Sequence, residues 1–518
     1  MPEHEKDTEG RKNKLFEILK KYFSDWKNVV FVLILLITLF LRFEYYNINV
    51  AQWWDEADYT TGAKIIANPG LKDTLTQYTF NPRRPFFTSL YWGLILYFNG
   101  NDTALHFSVL LFSIIGVWLT YLIGKELFNK DVGIIGSFIL GVSWVHLFYT
   151  ARFLTEIIAT TFYLGAVYFF IKGFVKGNNW KMSGLAGLFF GLSWFTRSQM
   201  VMMVVPFIIY LFLKEKFKLF LDKRVYASLI LILIAISPFL IYLLSFENPL
   251  QRYTGVGTGR FEGGGLKGFI ENTGLLWNSF QWVFFILLVI GIIVYALDVV
   301  LGLDILWKGD NESIKRVFIL VWLLMPWIFF GLTFNRGLED RYFLVSFPAA
   351  FLIVGFLLDK GRELFEKFIN FKYSKWVAYI IILIILAYGA NGQIKIADGI
   401  IKARANTFDL TKYAGEWIKE KSSPTERVIS ASKYQNMYYS ERDTFPFCEN
   451  NECKNNETLF IEKMKVIKPK YVVVSVYEPG FTPQWAYTIA QRYPQLLEPV
   501  QAFPSPENAQ LIIYNYKE

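Results

Sequence analysis

Two adjacent carboxylates, Asp55 and Glu56, lie a short way beyond the first hydrophobic segment of the chain. Acidic side chains near a bilayer are costly unless they face water or a partner, so those found there are candidates for function. Trp53 and Trp54 precede the pair, and tryptophan favours the headgroup level of a membrane. Because neighbouring residues point to different sides of a helix, we expect one carboxylate to face a cavity while the other supports it. The pattern predicts acid–base chemistry at a membrane surface.

The composition indicates a polytopic membrane protein. Of the 518 residues, 53% are hydrophobic and 19% are aromatic, which is rare in a soluble chain. The net charge of +9 does not indicate nucleic-acid binding, because most Lys and Arg residues lie in short loops between hydrophobic runs. Basic loops of this kind set the orientation of membrane proteins.

Eleven hydrophobic runs predict transmembrane helices, at 28–46, 103–124, 132–149, 155–173, 182–196, 199–213, 225–246, 275–297, 316–333, 341–358 and 376–394. A twelfth run, 86–98, is shorter and is interpreted as a surface or re-entrant helix. With segment 1–27 in the cytoplasm, the Lys- and Arg-rich loops then lie inside, whereas counting 86–98 as a crossing would place them outside. We therefore prefer eleven crossings.

This orientation predicts three parts: the cytoplasmic segment 1–27, a membrane module over 28–394 with a first outer loop at 47–102, and an extracytoplasmic domain over 395–518. In the last part we predict helices at 409–421, 456–467 and 482–493 and strands at 427–431, 470–476 and 509–515, hence a small α/β domain. Its Cys448 and Cys453 are the only cysteines, and their spacing is compatible with a disulfide outside the cell.

The orientation also brings carboxylates and arginines to one edge of the membrane. Arginine pairs bidentately with phosphate oxygens, and a carboxylate can accept a hydroxyl proton, so this edge suits a substrate with a lipid tail and a phosphate. The residues on this side are Asp55, Glu56, Asp58, Arg83, Arg84, Arg152, Glu156, Arg252, Arg260, Glu339, Asp340 and Arg341.

Several of these residues have a second interpretation. Glu156 lies four residues after Arg152, so the two either line the cavity or form a local ion pair. Arg83 and Arg84 either bind phosphate or anchor to headgroups, and Arg197 either snorkels or joins the cavity. The glycine-rich stretch ending at Arg260 resembles a phosphate-binding loop only loosely, and a flexible outer loop is favoured.

The order of these motifs resembles the GT-C membrane glycosyltransferases, and most closely the family of protein O-mannosyltransferases and lipid A aminoarabinose transferases. The matching motifs span about residues 30–360. They are Asp55-Glu56, Arg83-Arg84-Pro85 before an aromatic helix, Ala151-Arg152-x3-Glu156, Gly187-x3-Gly191-Leu192-x3-Thr196-Arg197 and Arg341-Tyr342-x5-Pro348.

The resemblance implies the GT-C fold and an inverting transfer of sugar from a polyprenyl phosphate, dolichyl phosphate in an archaeon, to a protein, lipid or glycan acceptor outside the cell. It implies Asp55 as the base, supported by Glu56, and Glu156 as the second acid. Arg83, Arg84 and Arg341 would hold the donor phosphate. We add Arg152 and Arg197 to this phosphate-binding set. We also predict a substrate loop that contains Arg252, Arg260 and Tyr342. The need for a divalent cation is left open; Asp55 and Glu156 would be its ligands.

Two other functions are considered. An oligosaccharyltransferase shares the GT-C core, and Trp53-Trp54-Asp55 superficially resembles the W-W-D-Y-G signature of that family, but that signature belongs to the C-terminal domain. A lipid or polysaccharide transporter would place charges near the bilayer midplane and often shows internal repeats, whereas these carboxylates lie at one edge and no repeat is visible. The glycosyltransferase is therefore the favoured prediction. We expect it in the cell membrane of a prokaryote, either a bacterium or an archaeon.

Overall fold

The computed structural model describes residues 17, 20, 23–254, 265–302, 310–333, 339–369, 371–448, 452–478 and 480–517. Sixteen α-helices of these residues precede the C-terminal domain. They are α1 (Trp26–Tyr45), α2 (Trp54–Ala67), α3 (Leu71–Thr74), α4 (Phe87–Tyr97), α5 (Asp102–Leu127), α6 (Lys130–Val142), α7 (Trp144–Thr150), α8 (Glu156–Phe170), α9 (Trp180–Thr196), α10 (Val205–Glu215), α11 (Lys223–Leu244), α12 (Pro249–Thr254), α13 (Gly265–Leu301), α14 (Asn311–Thr333), α15 (Phe347–Phe368) and α16 (Ser374–Arg404).

Within the described residues, eight helical segments are long and apolar enough to cross a membrane, and the bent pair α6–α7 would be a ninth. All eleven predicted runs fall on helices, which confirms a multi-pass helical protein. The remaining two runs coincide with α9, of 17 residues, and α10, of 11 residues. The number of eleven crossings therefore stays a prediction.

Helix α4, which covers the disputed run 86–98, has 11 residues. At about 1.5 Å per residue it is roughly 16 Å long, about half the thickness of a hydrocarbon core. It cannot cross a bilayer alone, in agreement with the interpretation as a surface or re-entrant helix. It packs closely on α2: a Cβ at Gly93 would lie 2.7 Å from an atom of Ile66 and 3.1 Å from the carbonyl oxygen of Ala63.

Burial separates central from peripheral spans. In the most apolar windows, 89% of the residues are buried in the span Asp340–Phe368 and 78% in Glu156–Val175, against 17% in Lys223–Leu244. A helix that stays apolar on its exposed face is suited to lipid. The central spans begin at Glu156 and beside Arg341, so two predicted site residues lie where buried helices start.

The bend of 56° between α6 and α7 is stabilised by polar side chains from other helices. A break leaves backbone groups without helical partners, and these must be satisfied inside a membrane protein. Arg42 donates to the carbonyl oxygen of Gly141 at 2.8 Å, and Gln393 accepts from the backbone amide of Trp144 at 2.8 Å. The bend places the segment after α7, which carries Arg152, beside the start of α2.

The C-terminal domain is a five-stranded mixed sheet with helices. Strand order is β2-β1-β3-β5-β4, where β1, β2 and β3 run parallel and β5 is antiparallel to β3 and β4. The elements are α17 (Asp409–Lys421), β1 (Arg427–Ser430), α18 (Lys433–Ser440), β2 (Asp443–Phe445), α19 (Glu457–Ile467), β3 (Tyr471–Ser475), α20 (Ile489–Arg492), β4 (Leu497–Phe503) and β5 (Leu511–Tyr516). Cys448 and Cys453 are joined in a disulfide.

The predicted α/β domain is confirmed, with three differences. Elements α18, β2 and β4 were not predicted, and the predicted helix 482–493 is a 3₁₀ turn, Gln484–Thr488, followed by the four-residue α20. Helix α16 also continues to Arg404, beyond the domain boundary predicted at 394/395.

This domain rests on α2, through α18 in particular. Lys64 of α2 pairs with Glu441 at 3.1 Å and donates to the carbonyl oxygen of Tyr438 at 2.9 Å. The ring of Trp54 stacks on that of Phe481, with centroids 5.0 Å apart. The domain therefore lies at the end of the helical bundle where α2 presents Asp55.

Candidate active site

The first turn of α2 holds both carboxylates of the acidic pair in different environments. Trp53 is extended before the helix, and its backbone amide donates to Oε2 of Glu56 at 2.6 Å, as in a capping box. Acidic side chains in a first helical turn are also stabilised by the helix dipole. Glu56 is buried, whereas the side chain of Asp55 keeps 24% of its exposure. The two residues therefore face different surroundings, as expected from their adjacency.

Asp55 lies between two arginines from distant parts of the chain. Its Oδ1 accepts from Nη2 of Arg84 at 2.6 Å, and its Oδ2 accepts from Nη1 of Arg341 at 3.1 Å. Burial disfavours ionisation of Asp55, but the charges of Arg84 and Arg341 outweigh it, and the pKa falls below its usual 3.8. Asp55 is therefore a carboxylate at neutral pH.

Arg84 also bridges to a further carboxylate, Asp58. Its Nη1 donates to Oδ2 of Asp58 at 3.0 Å, so one guanidinium pairs with two residues on the same face of α2. The side chain of Asp58 is only 5% exposed. Its burial raises the pKa to about 6, against the attraction of Arg84.

Glu156 lies across Arg341 from Asp55. Its Oε1 accepts from Nη1 of Arg197 at 2.7 Å and lies 3.6 Å from Nε of Arg341. Arg197 and Arg341 also approach the ring of Tyr342, at 5.3 and 5.5 Å from its centroid. The two acids and the arginines thus form one connected cluster.

A cavity of about 10 Å³ adjoins this cluster and is lined by Glu156, Arg197, Arg341 and Tyr342 among others. That volume holds about one water molecule. The second oxygen of Glu156, Oε2, is buried and makes no hydrogen bond within the described residues. An unpaired carboxylate oxygen is costly to bury, so this atom is ready to accept a hydrogen bond from a hydroxyl that enters.

Comparisons with known proteins identify the fold that carries this cluster. Residues 82–242 match a family model described as dolichyl-phosphate-mannose-protein mannosyltransferase. ArnT from Cupriavidus metallidurans, solved with undecaprenyl phosphate, has a similar fold, with a TM-score of 0.65, 12% identity and coverage of 93% of this chain and 97% of that one. No curated protein sequence matches the chain.

Two further solved structures share the fold. The oligosaccharyltransferase AglB from Archaeoglobus fulgidus, in complex with an inhibitory peptide and a dolichol-phosphate, aligns with a TM-score of 0.63 and 13% identity over 96% of this chain and 75% of that one. The mycobacterial arabinofuranosyltransferase AftD aligns with a TM-score of 0.57 and 12% identity over 94% of this chain and 40% of that one. This chain has the GT-C fold. The resemblance found in its motifs is thereby confirmed at the level of fold.

In this GT-C protein, Glu56 and Arg152 form a pair of their own. Arg152 donates from Nε and Nη2 to the two oxygens of Glu56, at 2.7 and 2.6 Å, and its guanidinium lies 4.0 Å from the ring centroid of Trp53. Both side chains are at most 2% exposed. The local Arg152–Glu156 ion pair considered from the sequence is replaced by this long-range pair, and the geometry does not support a catalytic Glu56 or a phosphate-binding Arg152.

Arg83 differs from the other arginines of the GT-C site. Its backbone amide donates to Oδ1 of Asn81 at 2.9 Å, and that of Arg84 to the Asn81 carbonyl oxygen at 2.9 Å, so an Asn turn fixes both before Pro85. The Arg83 side chain is partly exposed and pairs with no acid among the described residues. It is the arginine of this turn that is available to an incoming anion.

The remaining predicted residues are not part of the cluster. Arg252 is exposed on α12 and takes no part in these ion pairs, and Arg260 lies outside the described residues. Across the described ranges, no three His, Cys, Asp or Glu side chains come together as a metal site. Asp55 and Glu156, the predicted ligands, are instead separated by Arg341.

The sequence assigned no role to two residues of the cluster, Asp58 and Glu339, and Glu339 pairs with Arg341 at 2.9 Å from its more exposed side. A signal for Asp58 was available in the spacing Asp55-x-x-Asp58, since residues three apart share a face of a helix. Only the fold shows that the guanidinium between them belongs to Arg84.

Proposed function

We propose that this chain transfers a sugar from a polyprenyl-phosphate donor, dolichyl phosphate if the source is archaeal, to a hydroxyl group of an extracytoplasmic acceptor. The supporting observation is the ionised, partly exposed Asp55 between Arg84 and Arg341. In such a transfer, a base must accept the proton of the acceptor hydroxyl, and cations must stabilise the negative charge of the leaving phosphate. Asp55 can serve as that base, and the two arginines can serve as those cations.

The donor phosphate would bind to arginines of this site. Arg83 is free to receive it, and Arg84 and Arg341 can exchange part of their contact with Asp55 for phosphate oxygens, which guanidinium groups pair bidentately. ArnT was solved with undecaprenyl phosphate and AglB with a dolichol-phosphate, and both ligands are phosphates of polyprenyl-type lipids. The cavity beside Glu156 holds about one water molecule, so a sugar group that entered this cavity would displace the side chain of Arg341 or Arg197.

Binding of the phosphate would also prepare the base. The arginines lower the pKa of Asp55, and a phosphate that draws their charge away raises its proton affinity. Asp55 then takes the acceptor hydroxyl proton, the acceptor oxygen bonds to the anomeric carbon, and the bond from that carbon to the phosphate oxygen breaks. The polyprenyl phosphate leaves with the electron pair, and a single displacement inverts the anomeric carbon.

Glu156 would contribute the second carboxylate of the reaction. Its free Oε2 can accept a hydrogen bond from a sugar or acceptor hydroxyl, while Arg197 and Arg341 hold Oε1. Its place at the start of a buried span fixes it relative to Asp55.

The orientation of the site is part of the proposal. The cluster and the C-terminal domain lie at the same end of the bundle, because α18 and Phe481 pack on α2. With the Lys- and Arg-rich loops in the cytoplasm, this end faces outward.

The test uses the full chain in detergent or nanodiscs. Polyprenyl phosphate should bind more tightly than the polyprenol of equal length, and labelled sugar should pass from a polyprenyl-phosphate sugar to acceptor material from the source membrane. Equal binding of the phosphate and the alcohol, together with no labelled product from any polyprenyl-phosphate sugar, would overturn the proposal.

A further inference from the structure

Asp58 and Asp55 share the guanidinium of Arg84. Nη1 of Arg84 donates to Asp58 at 3.0 Å and Nη2 donates to Asp55 at 2.6 Å. The guanidinium is planar, so the two bonds fix its orientation as well as its position. The side chain of Asp55 is 24% exposed and that of Asp58 is 5% exposed, so Asp58 lies on the enclosed side of the pair.

The backbone around Asp58 is fixed independently of this bridge. The hydroxyl of Tyr78 donates to the carbonyl oxygen of Asp58 at 2.9 Å. A Cβ at Gly62, one turn further along α2, would lie 2.5 Å from the same hydroxyl oxygen, so only glycine permits this close contact. Asp58 therefore presents its carboxylate to Arg84 from a rigid part of α2.

We infer that Asp58 is a positioning residue of the transfer reaction: it holds one arm of Arg84 so that Asp55 receives only part of the charge of that arginine. This inference rests on the proposed function. A base that is fully neutralised by an arginine is weak, because the attraction favours its ionised form. By taking one arm of Arg84, Asp58 keeps Asp55 basic enough to accept a hydroxyl proton.

The charged and titratable groups that face Asp58 come from four parts of the chain: α2, the segment after α3, the turn before α4, and α18. On α2 it is opposed by Asp55; from the turn before α4 it receives Arg84; and from α18 the positive charge of Lys433 acts on it. The hydroxyl groups of Tyr78 and Tyr434 also lie near enough for their ionisation to depend on Asp58. Around neutral pH these tyrosines are neutral, since burial raises the pKa of both.

Protonation of Asp58 should therefore lower the rate of transfer. A protonated Asp58 no longer attracts Arg84, whose charge then acts on Asp55 alone and makes it a weaker base. Because burial raises the pKa of Asp58 to about 6, kcat should fall as the pH drops through that value. The donor KM should not rise, because Arg84 remains available to the phosphate.

The experiment measures kcat and donor KM between pH 5 and 8 for the wild type, Asp58→Asn and Arg84→Lys. Asp58→Asn keeps the shape of the side chain and a hydrogen-bond acceptor but cannot ionise; lysine at position 84 cannot span two carboxylates as a planar fork. We expect kcat at pH 7.5 to fall about tenfold in Asp58→Asn with an unchanged KM. The acid limb near pH 6 should disappear in both variants.

Three results would decide against the inference or its basis. An Asp58→Asn variant that keeps the full kcat, or keeps the acid limb of the wild type, overturns the role of Asp58 and leaves the transfer reaction standing. A rise of the donor KM with kcat unchanged assigns Asp58 to phosphate binding and also overturns it. A wild-type protein that transfers no sugar overturns the proposed function itself. Asp73→Asn, at an exposed aspartate of α3, is the matched control and should leave both constants unchanged.

Discussion

Arg152 and Glu56 are joined by two nearly parallel hydrogen bonds, Nε to Oε1 at 2.7 Å and Nη2 to Oε2 at 2.6 Å, although 96 residues separate them. The same carboxylate accepts from the backbone amides of Trp53 and Phe153, at 2.6 and 2.9 Å. Glu56 therefore ties the start of α2 to the segment that follows the bent helix pair. The residue beside it, Asp55, gains its fixed position from this connection.

Removing one charge of this pair should destabilise the protein. Glu56→Gln leaves the Arg152 charge buried without an opposite charge, which costs about 3–5 kcal/mol in comparable pairs. The thermal unfolding midpoint in detergent should fall markedly. The matched control is Glu363→Gln, since Glu363 pairs with Lys360 where both side chains are about half exposed, and such pairs contribute about 0–1 kcal/mol. Equal shifts in the two variants would contradict a structural role for Glu56.

Asp58 should make stability depend on pH in a predictable direction. Its pKa is about 6 in the folded protein and 3.8 ordinarily, so the folded state holds the proton more tightly. The stabilisation from this group is present below about pH 4 and is lost as the pH rises through 6, amounting to about 3 kcal/mol. Asparagine at position 58 cannot ionise, so Asp58→Asn does not lose this stabilisation. The unfolding midpoint of the variant, relative to that of the wild type, should therefore rise between pH 4.5 and pH 7.5.

Asp55→Asn gives the opposite sign in the same measurement. The pKa of Asp55 is lowered in the folded protein, so its charge stabilises the fold above about pH 4, and its loss should cost stability at neutral pH. For Asp58, an unfolding midpoint of Asp58→Asn that differs from that of the wild type by the same amount at every pH would contradict the raised pKa of Asp58.

Arg83 should contribute to donor binding and little to stability. Because its side chain pairs with no acid among the described residues, Arg83→Gln should leave the unfolding midpoint unchanged. The donor KM should rise about tenfold, in line with the loss of one charge-assisted hydrogen bond to phosphate, while kcat is retained. Arg404→Gln, at an exposed arginine at the end of α16, is the control. A KM that stays constant in Arg83→Gln would assign this residue to headgroup anchoring.

The proposed orientation can be tested with two exposed positions at opposite ends of the bundle. Thr103 lies in the first turn of α5, beside Asp102, which accepts from the hydroxyl of Tyr438 in the C-terminal domain at 2.6 Å. Lys181 lies at the start of α9, after a loop that is predicted to be cytoplasmic. In intact cells an impermeant maleimide should label Thr103→Cys, and Lys181→Cys should react only after lysis. The reverse pattern would contradict the orientation.

Much of the fold could be predicted from hydrophobic runs, because each buried or lipid-facing helix needs a continuous apolar stretch. The runs did not reveal the 56° bend after Val142, which depends on Arg42 and Gln393 from other helices. Helix α18 was also missed, because its sequence has no helical hydrophobic period and its stability comes from contact with α2.

The sequence predicted which residues gather at the site, but it did not predict which of them pair with each other. Residue types and the order of motifs selected Asp55, Arg84, Glu156 and Arg341, which do come together. They did not assign the pairs, since Arg152 lies four residues from Glu156 yet binds Glu56, and that choice is made by tertiary packing. Sequence spacing gives the neighbours on one helix and not the partner across the bundle.

Sugar transfer from a polyprenyl-phosphate donor by Asp55→Asn is the most direct test of the proposed mechanism. The variant keeps the size of the side chain but removes the proposed base, so kcat should fall by at least about a hundredfold. Binding of polyprenyl phosphate should be retained, and Asp73→Asn should behave as the wild type. Transfer by Asp55→Asn at the rate of the wild type would contradict the assignment of Asp55 and with it the proposed mechanism.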